Sequence, residues 1–108
     1  MSIDEVKVTE IIKEAVKVLY DYLRGLKSTK EVLNEINNLR VNDLLRKYWN
    51  ELIKNEKYAD FLEALLIISS IARELEFQEK EYGLDSVKED IESLAKLYLK
   101  IKGELQAL

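Results

Sequence analysis

Apolar side chains recur along this chain at alternating steps of three and four. From Ile3 to Leu26 they fall at Val8, Ile12, Ala15, Leu19, Tyr22 and Leu26, with Ile11, Val18 and Leu23 widening the stripe. Such steps keep a stripe on one face of an α-helix, so the pattern predicts an amphipathic helix over about 3–26. Gly25 can take a positive φ and suits its C-terminal stop. Ser28 and Glu31 then have the spacing of a capping box, which opens a short helix over about 29–39 with Val32, Leu33, Ile36 and Leu39 apolar. The next apolar set is Val41, Leu44, Leu45, Tyr48, Trp49, Leu52 and Ile53. At ~100° per residue its centre lies about half a turn from the preceding set, so one straight helix would face two opposite cores. The chain is therefore expected to break near 37–42, where Asn37, Asn38 and Asn42 favour a turn, and to form a third helix over about 42–56.

The fourth segment, about 58–82, places Tyr58, Phe61, Leu65, Ile68, Ala72 and Leu75 at the same alternation. Within it, Ala64–Ile68 is apolar on every face, which predicts a central helix surrounded by the others. Gly83 is the expected stop. Ser86 with Glu89 reads as a second capping box, opening a fifth helix over about 86–107. Its apolar positions include Leu84, Val87, Ile91, Leu94, Tyr98 and Ile101. The fold expected is all-α, a compact helical bundle of about five helices. Three are long (about 3–26, 58–82, 86–107) and two short (about 29–39, 42–56), in one domain over 1–108. Seams near a 3.5-residue period fit helices crossing at about +20°. Val16 and Tyr20 on the first helix, and Leu97 and Leu99 on the last, lie off the main seams. A second apolar face needs a second neighbour, so self-association is among the expectations.

Composition removes most catalytic chemistry from this scaffold. The 108 residues include no His, no Cys and no Pro. Imidazole acid–base catalysis, thiolate nucleophiles, disulfides and Cys/His metal sites are excluded. Without Pro, the long helices run uninterrupted. A net charge of −4 exerts no general pull toward nucleic acid or an anionic membrane. No apolar run approaches the ~18 residues of a membrane span, and the start of the chain lacks the basic-then-apolar order of a signal peptide. A cytoplasmic protein without a membrane partner is the expectation. Abundant Lys and Glu fit a thermophilic source, although six Asn residues argue the other way.

What chemistry remains lies in carboxylates and in one basic segment. Asp60 with Glu63, Glu76 with Glu79, and Glu89 with Glu92 are i, i+3 pairs, a spacing that can hold Mg²⁺. The stretches Glu76-Phe77-Gln78-Glu79 and Glu89-Asp90-Ile91-Glu92 resemble the paired carboxylate motifs of all-α nucleotide pyrophosphohydrolases of the MazG kind. That resemblance implies an Mg-dependent phosphohydrolase. The family's second motif ends in Asp where Glu92 stands, and its motifs lie inside two facing helices, whereas these crowd the two ends of one hairpin. With 21 acidic residues, such pairs are expected by chance on solvated faces. No catalytic residue, metal ligand or cofactor is therefore assigned. Glu74, Glu76, Glu79 and Glu81 make a candidate acidic docking surface for a basic partner. Residues 27–57 hold seven basic and five acidic side chains, a local excess of positive charge. Within them Arg46, Lys47, Trp49, Lys54 and Lys57 are candidate partner-binding residues. The function expected is a non-enzymatic protein–protein interaction module, an adaptor or accessory subunit of a larger complex. The alternative is a nucleic-acid accessory protein in which the basic-aromatic segment 40–58 supplies cations for phosphates and rings for bases.

Overall fold

The structure, a computed structural model, describes residues 2–77 and 84–106, with side-chain surroundings for 2–77 and 87–103. Six α-helices follow one another: α1 (Glu5–Leu23), α2 (Thr29–Asn38), α3 (Val41–Lys47), α4 (Trp49–Lys54), α5 (Ala59–Phe77) and α6 (Leu84–Gln106), with a 3₁₀ turn at Glu56–Tyr58 before α5. The all-α bundle expected from the periodicity is the fold observed.

The termini of the first two helices follow the sequence signals. Asp4 caps α1 by accepting from the Lys7 amide at 3.0 Å. Past Arg24 the chain turns through Gly25 at φ 77°. The Gly25 amide donates to the Tyr22 carbonyl at 3.0 Å and the Leu26 amide to that of Asp21 at 2.9 Å. This paired arrangement is a Schellman stop, which satisfies two carbonyls that the helix end leaves free. The capping box of α2 forms on both sides: the Glu31 amide donates to Ser28 Oγ at 3.2 Å, and the Ser28 amide to Glu31 Oε1 at 3.3 Å. Between the two helices Lys27 donates to both Glu35 carboxylate oxygens, at 2.9 and 2.8 Å, and lies 3.8 Å from Asp21. The hydrogen bond to Glu35 raises the Lys27 pKa above its ordinary value. A raised lysine pKa adds stability that is present below the unfolded value and is lost as pH rises through the folded one, so this corner loosens only in alkali.

One expectation is met and one is corrected in the middle of the chain. The break after α2 falls within 37–42 as expected, and the residue that turns the chain there is Arg40. Arg40 takes φ 55° and ψ 44°, and it is the one non-glycine residue with positive φ among those described. Asn42 instead accepts a hydrogen bond from the Ser69 hydroxyl at 2.9 Å, which ties α3 to α5. The expected single helix over 42–56 is divided at Tyr48, whose φ −108° and ψ 14° leave the helical region. The ladder nevertheless bridges the bend, since the Tyr48 amide donates to Leu44 and the Leu52 amide to Tyr48. The bend keeps Leu44, Leu45, Tyr48 and Leu52 all buried. Later, α6 already runs from Leu84, so Ser86 lies within its first turn and is not the residue that caps it. Gly83 and the end of the fourth segment, 78–82, lie outside the described residues.

The core sits around α5, which touches every other helix and the 3₁₀ turn. Leu65, Ile68, Ile71 and Leu75 of α5 meet Val8, Ile12, Val18 and Leu19 of α1, Val32 of α2, and Val87, Ile91 and Leu94 of α6 in one cluster. Each such side chain contributes about 1.5–3 kcal/mol on burial. The start of α5 lies by the start of α1, where Lys57 Nζ is 3.4 Å from Glu5. It also lies by the last turns of α6, where Lys100 Nζ is 3.2 Å from Asp60. Hence α1 and α5 run parallel and α6 antiparallel to both. Val16, Tyr20 and Leu97, the expected second face, are half-buried against the core, while Leu99 is exposed.

Both turn conformations lead to measurable effects. A Cβ at Gly25 meets nothing within 4 Å, so Gly25→Ala costs only the left-handed backbone, about 1 kcal/mol, in urea unfolding. Arg40→Gly removes the same kind of strain and is expected to stabilise by up to about 1 kcal/mol, since the Arg40–Asp43 pair it deletes is exposed and adds little.

Candidate functional site

The five basic-aromatic candidates do not form one patch. Arg46 and Trp49 are three residues apart across the α3–α4 bend, and both line a broad, open depression with Asn42, Leu45 and Arg73. Lys54 lines a different depression, with Ser2, Ile3, Asn50, Glu51, Asn55 and Tyr58. Lys47 lies over its neighbour Tyr48, 5.2 Å from the ring centroid. Lys57 is drawn to Glu5 and lies 5.6 Å from the Tyr58 ring centroid. Arg46 donates to Asp43 Oδ1 at 2.9 Å, and Asp43 also faces Arg40 at 3.5 Å. Of the seven basic side chains in 27–57, Lys27, Arg40, Arg46 and Lys57 are paired, and among their partners Asp21 and Glu5 lie outside the segment.

The aromatics divide in the same way. Tyr48 is buried in the core, and Tyr58 is half-buried beside Phe61 with ring centroids 6.0 Å apart. Trp49 is 44% exposed and Ile53, one turn further along α4, is 49% exposed. Of Tyr48, Trp49 and Tyr58, Trp49 is the exposed ring, and it lines a depression with Arg46 and Arg73. Among the described residues Arg46 is held by Asp43 whereas Arg73 has no ion pair, so of these two cations in the depression Arg73 is the one that none of them neutralises. Sequence reasoning did not single it out, because it lies 24 residues from Trp49 and outside the basic segment.

Arg73 belongs to the outward face of α5. The exposed residues there are Ala59, Glu63, Leu66, Ser70, Arg73, Glu76 and Phe77. Leu66 is 44% and Phe77 62% exposed. The expectation that Ala64–Ile68 is enclosed on every side is therefore corrected. Ala64, Leu65 and Ile68 are buried and Ile67 is half-buried, but Leu66 is 44% exposed, on a stripe that the described helices leave open.

Of the acidic docking candidates, Glu74 is half-buried and Glu76 exposed in the last turns of α5; Glu79 and Glu81 lie outside the described residues. Among the described residues no three Asp or Glu side chains converge as a metal site, and no helix is long and apolar enough to cross a membrane. Searches of protein-family models, curated proteins and solved structures find no match to this chain.

Trp49 is the chain's one tryptophan, so the electrostatics of its depression can be read by fluorescence. Iodide is expected to quench it more efficiently than caesium at equal concentration. Arg73→Glu is expected to reverse that order while leaving quenching by neutral acrylamide unchanged.

Proposed function

We propose that this protein is a non-enzymatic helical interaction module, an accessory subunit whose output is contact through the α4–α5 face. The observation that carries the reading is the exposure of Trp49, Ile53, Leu66 and Phe77, four large apolar side chains on two adjacent helices. Single exposed apolar residues are ordinary on protein surfaces, whereas apolar groups gathered on one face mark contact sites. Trp beside Arg is the composition that dominates protein interfaces, and Trp49 shares its depression with Arg46 and Arg73. The pairing of Arg46, Lys57 and Arg40 with carboxylates weighs against phosphate binding by the 40–58 segment.

Affinity purification of the tagged protein from its native source tests the reading. A stoichiometric protein, either another chain or the untagged protein itself, is expected to be retained through nuclease treatment. Trp49→Ala is expected to weaken that retention by roughly 30-fold, with little change in Tm, as at a contact hot spot. Retention of nothing, or of nucleic acid alone, overturns the proposal.

A further inference from the structure

The outward stripe of α5 is complementary to itself. Ala59, Glu63, Leu66, Ser70, Arg73 and Phe77 follow one another at steps of 4, 3, 4, 3 and 4, and all six are exposed. This is the seam spacing of a two-helix coiled coil, and it faces away from the core that the other seam of α5 fills. The stripe extends ~27 Å along the helix. In an antiparallel pair an a position of one helix lies level with a d position of the other. With Glu63, Ser70 and Phe77 as a and Ala59, Leu66 and Arg73 as d, a two-fold axis passing between Leu66 and Ser70 sets the levels. Ala59 then faces Phe77, Glu63 faces Arg73, and Leu66 faces Ser70, each pair twice.

Every level joins unlike partners. A large ring meets a methyl, an acid meets a base, and a branched apolar group meets a small one. Neither Glu63 nor Arg73 has an ion pair among the described residues, and on one helix the two are ~15 Å apart, too far to pair with each other. The reversed copy supplies to each the charge that the described residues of its own chain do not. Trp49, which shares a depression with Arg73, flanks the stripe and enlarges the apolar area to be covered.

We infer that the occupant of the α4–α5 face is a second copy of this chain, docked antiparallel along α5 as a two-fold dimer in this register. The inference rests on the proposed reading of that face as a protein-docking surface and names its partner. A symmetric, self-complementary patch closes on itself as a dimer at that face.

Sedimentation equilibrium of the purified full chain tests it, with charge reversals that leave the buried side of α5 untouched. The wild-type protein is expected to sediment at twice its 12.7 kDa chain mass at micromolar concentrations. Glu63→Arg alone and Arg73→Glu alone each place like charges on two levels and are expected to raise the dimer Kd about tenfold or more. Mixing the two single variants in equal amounts restores both levels with opposite charges, so a mixed dimer is expected to return; the double variant E63R/R73E likewise dimerises. Circular dichroism melting confirms that each single variant is folded. A monomeric wild type overturns the inference, as does a dimer that both single variants leave intact or that mixing does not restore. If the purified chain is monomeric yet its native-source purification retains a different protein, the docking surface stands and only the second copy fails.

Discussion

The structure depends on the burial of α5. Its sequence is too apolar for a surface helix, and its 19 residues serve as the common wall against which α1, α2, α3, α4 and α6 all pack. The other elements are positioned by that requirement. The bend at Tyr48 lets a short apolar stripe follow α5, the left-handed Arg40 turns the chain onto it, and Lys100–Asp60 and Lys57–Glu5 fasten its beginning to α6 and α1. Five helices of these lengths cover all but one stripe of the central helix. That uncovered stripe, at Leu66 and Phe77, is a direct consequence of placing so apolar a helix in so small a bundle.

Much of this was legible in the sequence because the signals were local. The seams of α1, α5 and α6 need only their own spacing, the Ser28/Glu31 box needs four residues, and the Gly25 stop needs one residue tolerant of positive φ. The illegible parts were set by packing between distant segments. Nothing in Arg40 favours the left-handed region over three nearby Asn residues, and it occupies that region because of where α3 must dock. Tyr48 is an acceptable helix former, and its bend goes with the burial of Leu44, Leu45, Tyr48 and Leu52 together against the core. Ser86 had the spacing of a cap, but α6 begins two residues earlier.

The candidate site shows the same division. A count of charges over 27–57 suggested a basic excess, but Lys57 finds its partner in Glu5, far away in sequence. Folding therefore gives this lysine a partner that a local window omits. Arg46 and Trp49 survive as neighbours because three residues keep them on one side of the α3–α4 bend. The outer stripe of α5 was hidden for a different reason. Glu63, Ser70 and Arg73 read as an ordinary solvated face until the buried positions are known, and only then do Leu66 and Phe77 stand out as apolar members of a second seam.

The central claim is that the uncovered stripe of α5 is a contact surface matched to its own reverse. Isotope-filtered nuclear Overhauser spectroscopy on a mixture of labelled and unlabelled protein tests it most directly, because it reports only contacts between copies. Signals are expected between the Phe77 ring and the Ala59 methyl, and between the Leu66 methyls and Ser70, on different molecules. Intermolecular signals confined to Val6 and Leu99, the exposed apolar residues of α1 and α6, would contradict it, as would a concentrated sample with none.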